Sequence, residues 1–513
     1  MNVGIIGGGV GGMMTALLLA RQGKQAVLYE RQAALGGRLA YETNGEHYRI
    51  DRGPTIVLLP QMLQSLMAEA GIAESEVELM LCDPLYHIHY GDGTRLTKYR
   101  DSERMAEEME RQYPGEGAGV RRYLSDMKAL FSAAQSQFLE RSFVRRREFF
   151  TPRNLQLLSK LQVHLSARQL AGRYFKREQA IDAFSLQTLY VGGMPSGSPS
   201  LYTFIPYAEH AFGIWYVRGG YAGLSEVLAR RLQDAGVEVR LGEEGEIGEI
   251  IARHGKVHGM RTKTGTEHRH DTVVFNGDYP HLAHLLPGVK LPARREYVPS
   301  SGTIMIYVGT DRRWGEKDKA VHTNSTDQSV IMHQFFLPSS LTASLKRLER
   351  GEMPASSDEA PAYYVFNPCA LDDQAAPPSH SVLYFLIPIP LTSKWRLSAE
   401  EWRERGAQMA EKVLADAESR AFPGLRASIR WQSVRTPADG EAEGWYRGGS
   451  FGIAPTLLQS GVFRPQMIPY KINGLYSVGA SIHPGGGIPI VMQGAKLVAD
   501  HIVKESSPWT ESS

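Results

Sequence analysis

Apolar residues fall in two rhythms along the chain, short continuous runs and helical spacing, and the first 30 residues contain both. Residues 3–6, Val-Gly-Ile-Ile, are a largely β-branched run suited to a buried parallel strand. Residues 13–21 have the alanine and leucine content of a buried helix that ends before Gly23, and residues 26–29 form a second apolar run finishing on Glu30. This predicts strand, turn, helix, strand. Farther on, residues 60–80 predict a helix with Met62, Leu63, Leu66 and Met67 on one face, and residues 86–99 predict a hairpin about Gly91-Asp92-Gly93. Residues 101–190 read mostly as helix. Residues 224–235 read as a helix, 237–240 as a strand, 247–251 with 257–261 as a hairpin, and 273–276 as a buried strand. Strands at 303–308, 362–366 and 382–387, a loop at 350–360 and a helix at 399–417 come next. The chain closes with a strand at 474–480, a glycine-rich loop at 481–487 and a helix at 488–504.

The turn between the first strand and helix is Gly7-Gly8-Gly9-Val10-Gly11-Gly12, and Gly7-x-Gly9-x-x-Gly12 satisfies the dinucleotide fingerprint. Its glycines permit a tight turn, close approach of backbone to pyrophosphate, and tight helix-on-strand packing, while the helix amides face the phosphates. Glu30 stands at the strand tip where an acid accepts hydrogen bonds from a ribose, with Arg31 after it. A nicotinamide enzyme has no need of the next two segments, Gly36-Gly37-Arg38 and Asp51-Arg52-Gly53-Pro54-Thr55. An extended FAD does: backbone must approach its pyrophosphate and ribityl chain, and Arg38 is a charge-assisted donor. The helix starting after Gly485-Gly486-Gly487 points free amides outward, suited to the ribityl chain or the pyrimidine edge. No second strand-GxGxxG-helix unit appears, so a separate NAD(P)H domain is not expected.

Composition narrows the setting. Lys plus Arg is 57 against 55 for Asp plus Glu, a net charge of +2 that fits neither a strongly basic nucleic-acid binder nor an acidic disordered chain. The 52 glycines in 513 residues exceed the usual share and are partly concentrated at the two chain ends. Cys82 and Cys369 are the only cysteines, so no disulfide framework or zinc cluster is read and a reducing, cytoplasmic setting is expected. His87 and His89 alternate as metal ligands can, but without a third ligand the expectation is no metal. Between residues 141 and 177 ten Lys or Arg stand against one acid, Glu148, interleaved with Phe143, Phe149, Phe150, Leu155, Leu157 and Leu158. That segment fits a helix lying on an anionic bilayer or a solvated helix face.

With the glycine fingerprint, Gly36-Gly37-Arg38, Asp51-Arg52-Gly53-Pro54-Thr55 and Gly479-Ala480-Ser481-Ile482-His483-Pro484-Gly485-Gly486-Gly487-Ile488-Pro489 in hand, the chain resembles the bacterial carotenoid desaturases. Leu186-Gln187-Thr188-Leu189-Tyr190, Pro199-Ser200-Leu201-Tyr202, Gly448-Gly449-Ser450-Phe451-Gly452, Pro455-Thr456-Leu457 and Arg464-Pro465-Gln466 favour the C30 branch, the 4,4'-diapophytoene desaturases. The triple glycine and Gly213-Ile214-Trp215-Tyr216-Val217 also resemble the sister branch that oxidises terminal methyls of C30 carotenoids. The resemblance implies an α/β, bipartite flavoprotein of the amine-oxidase-like type with noncovalent FAD and a long apolar substrate tunnel. Its expected parts are an FAD domain from residues 1–80, 215–290 and 455–513, a mixed-sheet substrate domain from 81–100 and 291–454, and a helical, membrane-facing region at 101–214. By resemblance, the Ile247 backbone meets the adenine, and Gly479, Ala480, Ile488 and Pro489 make the second flavin contact; Gly487, at the start of the last helix, is a further cofactor-binding candidate. The expected substrate is a long apolar isoprenoid, collected by a protein peripheral on the inner face of the membrane.

Desaturation needs a two-electron acceptor, dry alignment of the substrate and a proton acceptor. Phe184, Leu189, Tyr202, Phe204, Tyr207, Phe212 and Trp215 are read as tunnel wall or plain core. Glu209, His210 and His483 are the proton-acceptor candidates, the first two also fitting a polar surface turn. Desaturation of a C30 precursor is the favoured activity. Terminal oxygenation, C40 phytoene desaturation and amine or porphyrinogen oxidation are alternatives on the same fold, and a non-catalytic prenyl-lipid carrier like the GDP-dissociation inhibitors is the alternative of another class.

Overall fold

The structure is a computed structural model that describes residues 1–506 apart from 46, 293–294, 316–329 and 356. The end of the expected FAD domain, 507–513, lies outside the described residues.

The apolar runs near the two chain ends meet in one sheet. Its strands lie in the order Leu475–Ser477, Thr272–Phe275, Asn2–Ile6, Gln25–Glu30, Glu238–Leu241, and all are parallel. A parallel sheet needs both faces covered. On one face the helices Val10–Arg21, Pro60–Glu69, Gly220–Asp234 and Ile488–Glu505 share a core that includes Leu17, Leu63, Leu228 and Val498. Against the other lies an antiparallel sheet, Ile247–Arg253, Lys256–Thr262 and Glu267–Arg269, packed through Ile250, Met260, Val273 and Phe275.

The second large sheet runs Ile429–Arg435, Gly302–Thr310, Ser381–Ile389, Tyr363–Phe366, His333–Phe336, Tyr86–His89, Arg95–Lys98. Only the pairing of His333–Phe336 with Tyr86–His89 is parallel. Period-2 alternation divides its side chains between two cores. Ile304, Ile306 and Val308 pack under the helix Ala399–Arg420, whereas Met305 and Tyr307 face the opposite side, toward the helices of residues 101–214. Among the described residues no helix is long and apolar enough to cross a membrane.

One expected element differs. The helix expected over 60–80 stops at Glu69, and Leu79–Cys82 is instead a strand antiparallel to Ile214–Val217. Gly71, at φ +83°, takes the chain out of the helix. The partner strand is more than 130 positions away, so only tertiary pairing decides the outcome.

Candidate active site

The glycine turn sits at the C-terminal edge of the parallel sheet, where open α/β folds bind ligands. A Cβ on Gly12 would lie 2.1 Å from the Gly7 carbonyl oxygen, so this glycine lets the helix Val10–Arg21 close onto the strand. Gly8 donates its N–H to Glu30 Oε2 at 2.7 Å, and Gln32 N–H reaches Oε1 at 2.8 Å. These two bonds hold the buried Glu30 carboxylate at the mouth of the site with lone pairs to spare for a ribose. Asn276, at the end of its strand, donates from Nδ2 to the Gly7 carbonyl at 3.0 Å and ties the turn to the neighbouring strand.

Arg38 forks onto Asp278 at 2.9 and 3.4 Å, donates to the Gly449 carbonyl at 3.3 Å, and lies 4.8 Å from the Trp445 ring centroid. Asp278 also accepts from Tyr446 N–H at 2.8 Å and Ser481 Oγ at 3.3 Å. This junction joins the N-terminal glycine unit, the Gly448–Gly452 segment and the C-terminal loop. Nothing in the sequence pattern marked Asn276, Asp278 or Trp445; Asn276 and Asp278 come just after a strand at the ligand edge, and that placement was the one signal pointing to them.

In the C-terminal loop, His483 donates from Nε2 to the Arg141 carbonyl at 2.8 Å, since a carbonyl can only accept, and Nδ1 is left as a buried acceptor without a partner. Burial lowers this imidazole to about 4, so it is neutral near pH 7. Arg464, also buried, donates to the carbonyls of Gln459 and Ala480, and its Nε has no partner. Burial lowers its pKa, the expected direction for a cation short of counter-charge.

Together these loops border one cavity of ≈ 1070 Å³, at the upper limit of the roughly 300–1,000 Å³ usual for small-molecule sites. It runs from Glu30 and Gly37 past Gly53 to an apolar end formed by Phe131, Phe138, Leu189 and Phe204. Of the expected cofactor residues, Gly7, Gly9, Val10, Gly11, Glu30, Arg31, Gly36, Gly37, Arg38, Gly53, Pro54, Thr55, Ile247, Gly479, Ala480, Gly487, Ile488 and Pro489 line it. Gly8 and Gly12 do not, and act through Glu30 and through helix packing. Four orphaned buried polar atoms, Arg38 Nε, His281 Nε2, Arg464 Nε and His483 Nδ1, belong to cavity-lining residues, and a side chain added at Gly486 or Gly487 would meet nothing closer than 3.7 Å. An open glycine cradle with unpaired donors and an acceptor fits FAD.

The structure corrects two readings. Glu209 and His210 do not form a surface turn: both are buried in the helix Phe204–Phe212, and neither lines the cavity. Helical period explains it, because Phe204, Ile205 and Ala208 take the cavity face. Glu209 accepts from Tyr86 at 2.8 Å, Tyr190 at 2.9 Å and Gln187 at 3.2 Å, with burial raising its pKa and buried Lys98 opposing that. It reaches the cavity only through Tyr190. The expected aromatic wall also divides: Leu189, Tyr202 and Phe204 line the cavity, whereas Phe184 packs on the Lys98 ammonium at 3.6 Å. Tyr207 and Phe212 pack behind Phe131, and Trp215 pairs with Val57. His87 bonds Thr97 at 3.1 Å and His89 bonds Gln334 at 2.9 Å, and no metal-ligand group occurs among the described residues.

The family profile for flavin containing amine oxidoreductases matches residues 10–503. The chain belongs to that family. Two relatives span nearly all of this flavin oxidoreductase. A 4,4'-diapolycopen-4-al dehydrogenase of Metabacillus indicus is 43% identical over 506 residues, 98% of this chain and 97% of that protein. A 4,4'-diapophytoene desaturase (4,4'-diaponeurosporene-forming) of Staphylococcus haemolyticus is 29% identical over 520 residues, 98% of this chain and 99% of that one. Both agree with the resemblance to bacterial carotenoid desaturases. Among solved structures, putrescine oxidase bound to putrescine superposes with a TM-score of 0.64 at 14% identity, covering 98% of this chain and 99% of that one. An oxidoreductase from Methanosarcina mazei does so with a TM-score of 0.64 at 14% identity, covering 98% and 100%. These likenesses establish the amine-oxidase-like fold. The protein is an FAD-dependent oxidoreductase.

Proposed function

We propose that this flavoenzyme acts on a C30 carotenoid at its oxygen-bearing end, taking a terminal aldehyde to the carboxylic acid. The observation that carries this reading is the contrast between relatives: 43% identity to the aldehyde dehydrogenase against 29% to the diapophytoene desaturase, each over 98% of the chain. The sequence motifs alone favoured desaturation, with terminal oxidation as the alternative. Desaturation of a C30 precursor stays as the second reading, favoured by Leu186, Leu189 and Tyr190 of the branch motif standing on the cavity wall.

Oxidising an aldehyde to an acid consumes one water and releases two electrons and two protons. Bound FAD supplies the two-electron oxidant. The protein supplies alignment along an apolar channel and acceptors for the protons. The candidate acceptors are His483, a wall residue whose buried Nδ1 has no hydrogen-bond partner, and the Glu209 carboxyl, which stands behind Tyr190.

The substrate's route is part of the proposal. Six of the eight large apolar side chains exposed among the described residues are Val144, Phe150, Leu155, Val298, Leu457 and Leu458. Contacts gather several of them on one face: Phe150 packs 6.3 Å from Phe463, Gln459 holds Val298 at 2.8 Å, and Arg295 donates to the Leu458 carbonyl. Ser460 and Gly461, beside them, line the cavity, and Arg145, Arg146 and Arg147 are exposed at the edge. An apolar face fringed with arginine suits an anionic bilayer, from which the chain would enter directly. The reaction test is product analysis: the FAD-loaded protein in liposomes should convert 4,4'-diapolycopen-4-al to the acid, and an aldehyde left unchanged while 4,4'-diapophytoene is desaturated rejects the proposal.

A further inference from the structure

One stretch of the cavity wall is polar where its surroundings are not. Thr55, Tyr364 and Tyr384 line the cavity together with Met305, Phe335 and Leu386. Thr55 Oγ1 lies 3.1 Å from the Tyr364 hydroxyl and 3.2 Å from the Tyr384 hydroxyl, Tyr384 donates to the Gly53 carbonyl at 2.9 Å, and His333 Nδ1 lies 2.6 Å from the Tyr364 oxygen. All four side chains are buried.

The hydrogens can be assigned by elimination. Tyr384 gives its hydrogen to Gly53, so in the bond to Thr55 the threonine donates. Its one hydrogen is then used, and Tyr364 must donate to Thr55. Tyr364 in turn accepts from His333, which makes the imidazole an Nδ1–H tautomer. Burial keeps His333 neutral, lowered to about 3, and lifts the Tyr364 phenol well above its ordinary value. The result is a one-way chain, His333 to Tyr364 to Thr55 to Tyr384 to the Gly53 carbonyl. The Tyr364 hydrogen in this chain can swing from Thr55 to a ligand oxygen while His333 still donates behind it. No hydrocarbon chain needs such a donor.

We propose that the Tyr364 hydroxyl is the donor of a subsite for a terminal carbonyl oxygen, with Thr55 as the acceptor its hydrogen rests on beforehand and His333 as the positioning residue behind it. The Tyr384 bond to Gly53 ties this subsite to the loop expected to meet the flavin, so a carbonyl held there puts the carbon to be oxidised beside the cofactor loop. The inference rests on the terminal-oxidation reading for its ligand class and adds the residues that select it.

The test compares 4,4'-diapolycopen-4-al with its parent hydrocarbon 4,4'-diapolycopene on the FAD-loaded protein, through quenching of flavin fluorescence and resonance Raman of the bound carbonyl. Wild type should bind the aldehyde at least about tenfold tighter, the equivalent of one neutral hydrogen bond, with a lowered carbonyl stretch. Tyr364→Phe should remove about tenfold of that preference and return the stretch toward its free value, with hydrocarbon affinity and FAD content unchanged. Thr55→Val, an independent test if the first variant misfolds, keeps the Tyr364 hydroxyl and removes the acceptor that competes for its hydrogen, so the preference and the lowered stretch should persist or increase. Equal loss for both ligands in Tyr364→Phe, or a preference and a stretch that Tyr364→Phe leaves alone, overturns the subsite, as does a Thr55→Val protein that loses the preference. Wild type that makes acid with no aldehyde preference defeats the subsite alone. A lowered stretch without acid defeats the reaction and leaves the subsite standing.

Discussion

Replacing Gly12 with alanine adds a single methyl at the point where the glycine turn and the first helix touch. The new Cβ would lie 2.1 Å from the Gly7 carbonyl oxygen and 3.1 Å from Asn276 Nδ2. The first neighbour is backbone and cannot rotate away, and the same carbonyl accepts the Asn276 bond that ties two strands together. Even a contact of 3.0 Å requires an opening of about 0.9 Å between the helix Val10–Arg21 and the turn. Overpacking of this kind costs about 1–3 kcal/mol. If the strain is released mainly by opening the turn, it falls on the cofactor equilibrium and weakens FAD binding roughly 5- to 150-fold. Flavin fluorescence titration of the apoprotein reads this directly, and thermal unfolding of the apoprotein separates loss of cofactor from loss of fold. Gly288→Ala, where a Cβ meets nothing within 4 Å, is the control and should be neutral. A Gly12→Ala protein that binds FAD as tightly as wild type would refute the packing argument.

Arg38→Lys keeps the charge but loses the fork onto Asp278 and the stacking on Trp445, so FAD affinity should fall about tenfold; an unchanged affinity would show that the junction does not support the cofactor. Asp51 is buried, accepts N–H bonds from Tyr221 and Ala222, and is raised by desolvation to about 7. A carboxyl raised on folding stabilises the protein below that value and loses the contribution as pH climbs from the unfolded value of about 4 through about 7. Asp51→Asn removes this dependence, so its stability relative to wild type should improve by about 2 kcal/mol between about pH 5.5 and 8.5 in urea unfolding, and a pH-independent difference would contradict the assignment. Reversing Arg145, Arg146 and Arg147 to Glu should weaken flotation with anionic liposomes by about a hundredfold or more, at about 1 kcal/mol per basic residue near the surface. Unchanged flotation would exclude that face as the docking surface.

The cofactor half of the molecule was legible because its chemistry is local. Gly7, Gly9 and Gly12 are required by a turn that spans six residues, and Glu30 stands at a fixed distance behind them, so spacing alone carries the meaning. The substrate half was not. Tyr364 and Tyr384 read as ordinary strand aromatics, and what makes them a site is Thr55, 309 and 329 positions away. Arg464 lay inside a quoted motif, yet nothing in a sequence says that an arginine will be buried with Nε unpaired. Glu209 and His210 misled in the opposite way. Adjacent polar residues suggested a turn, but a charged group can be buried when partners converge on it, and Tyr86, Gln187 and Tyr190 do so for Glu209. The aromatic run from Phe204 to Trp215 was read as tunnel wall or plain core, and both occur: Phe204 lines the cavity while Tyr207 and Phe212 of the same helix pack behind Phe131.

The central claim is that an FAD-dependent oxidoreductase oxidises the oxygen-bearing end of a long apolar chain held in this cavity. Mass spectrometry of products formed by the FAD-loaded protein in liposomes, in water enriched in heavy oxygen, tests it most directly. From 4,4'-diapolycopen-4-al the account predicts the carboxylic acid with one oxygen drawn from water, and no product from 4,4'-diapophytoene. Hydrogen loss from 4,4'-diapophytoene with the aldehyde returned unchanged would contradict it.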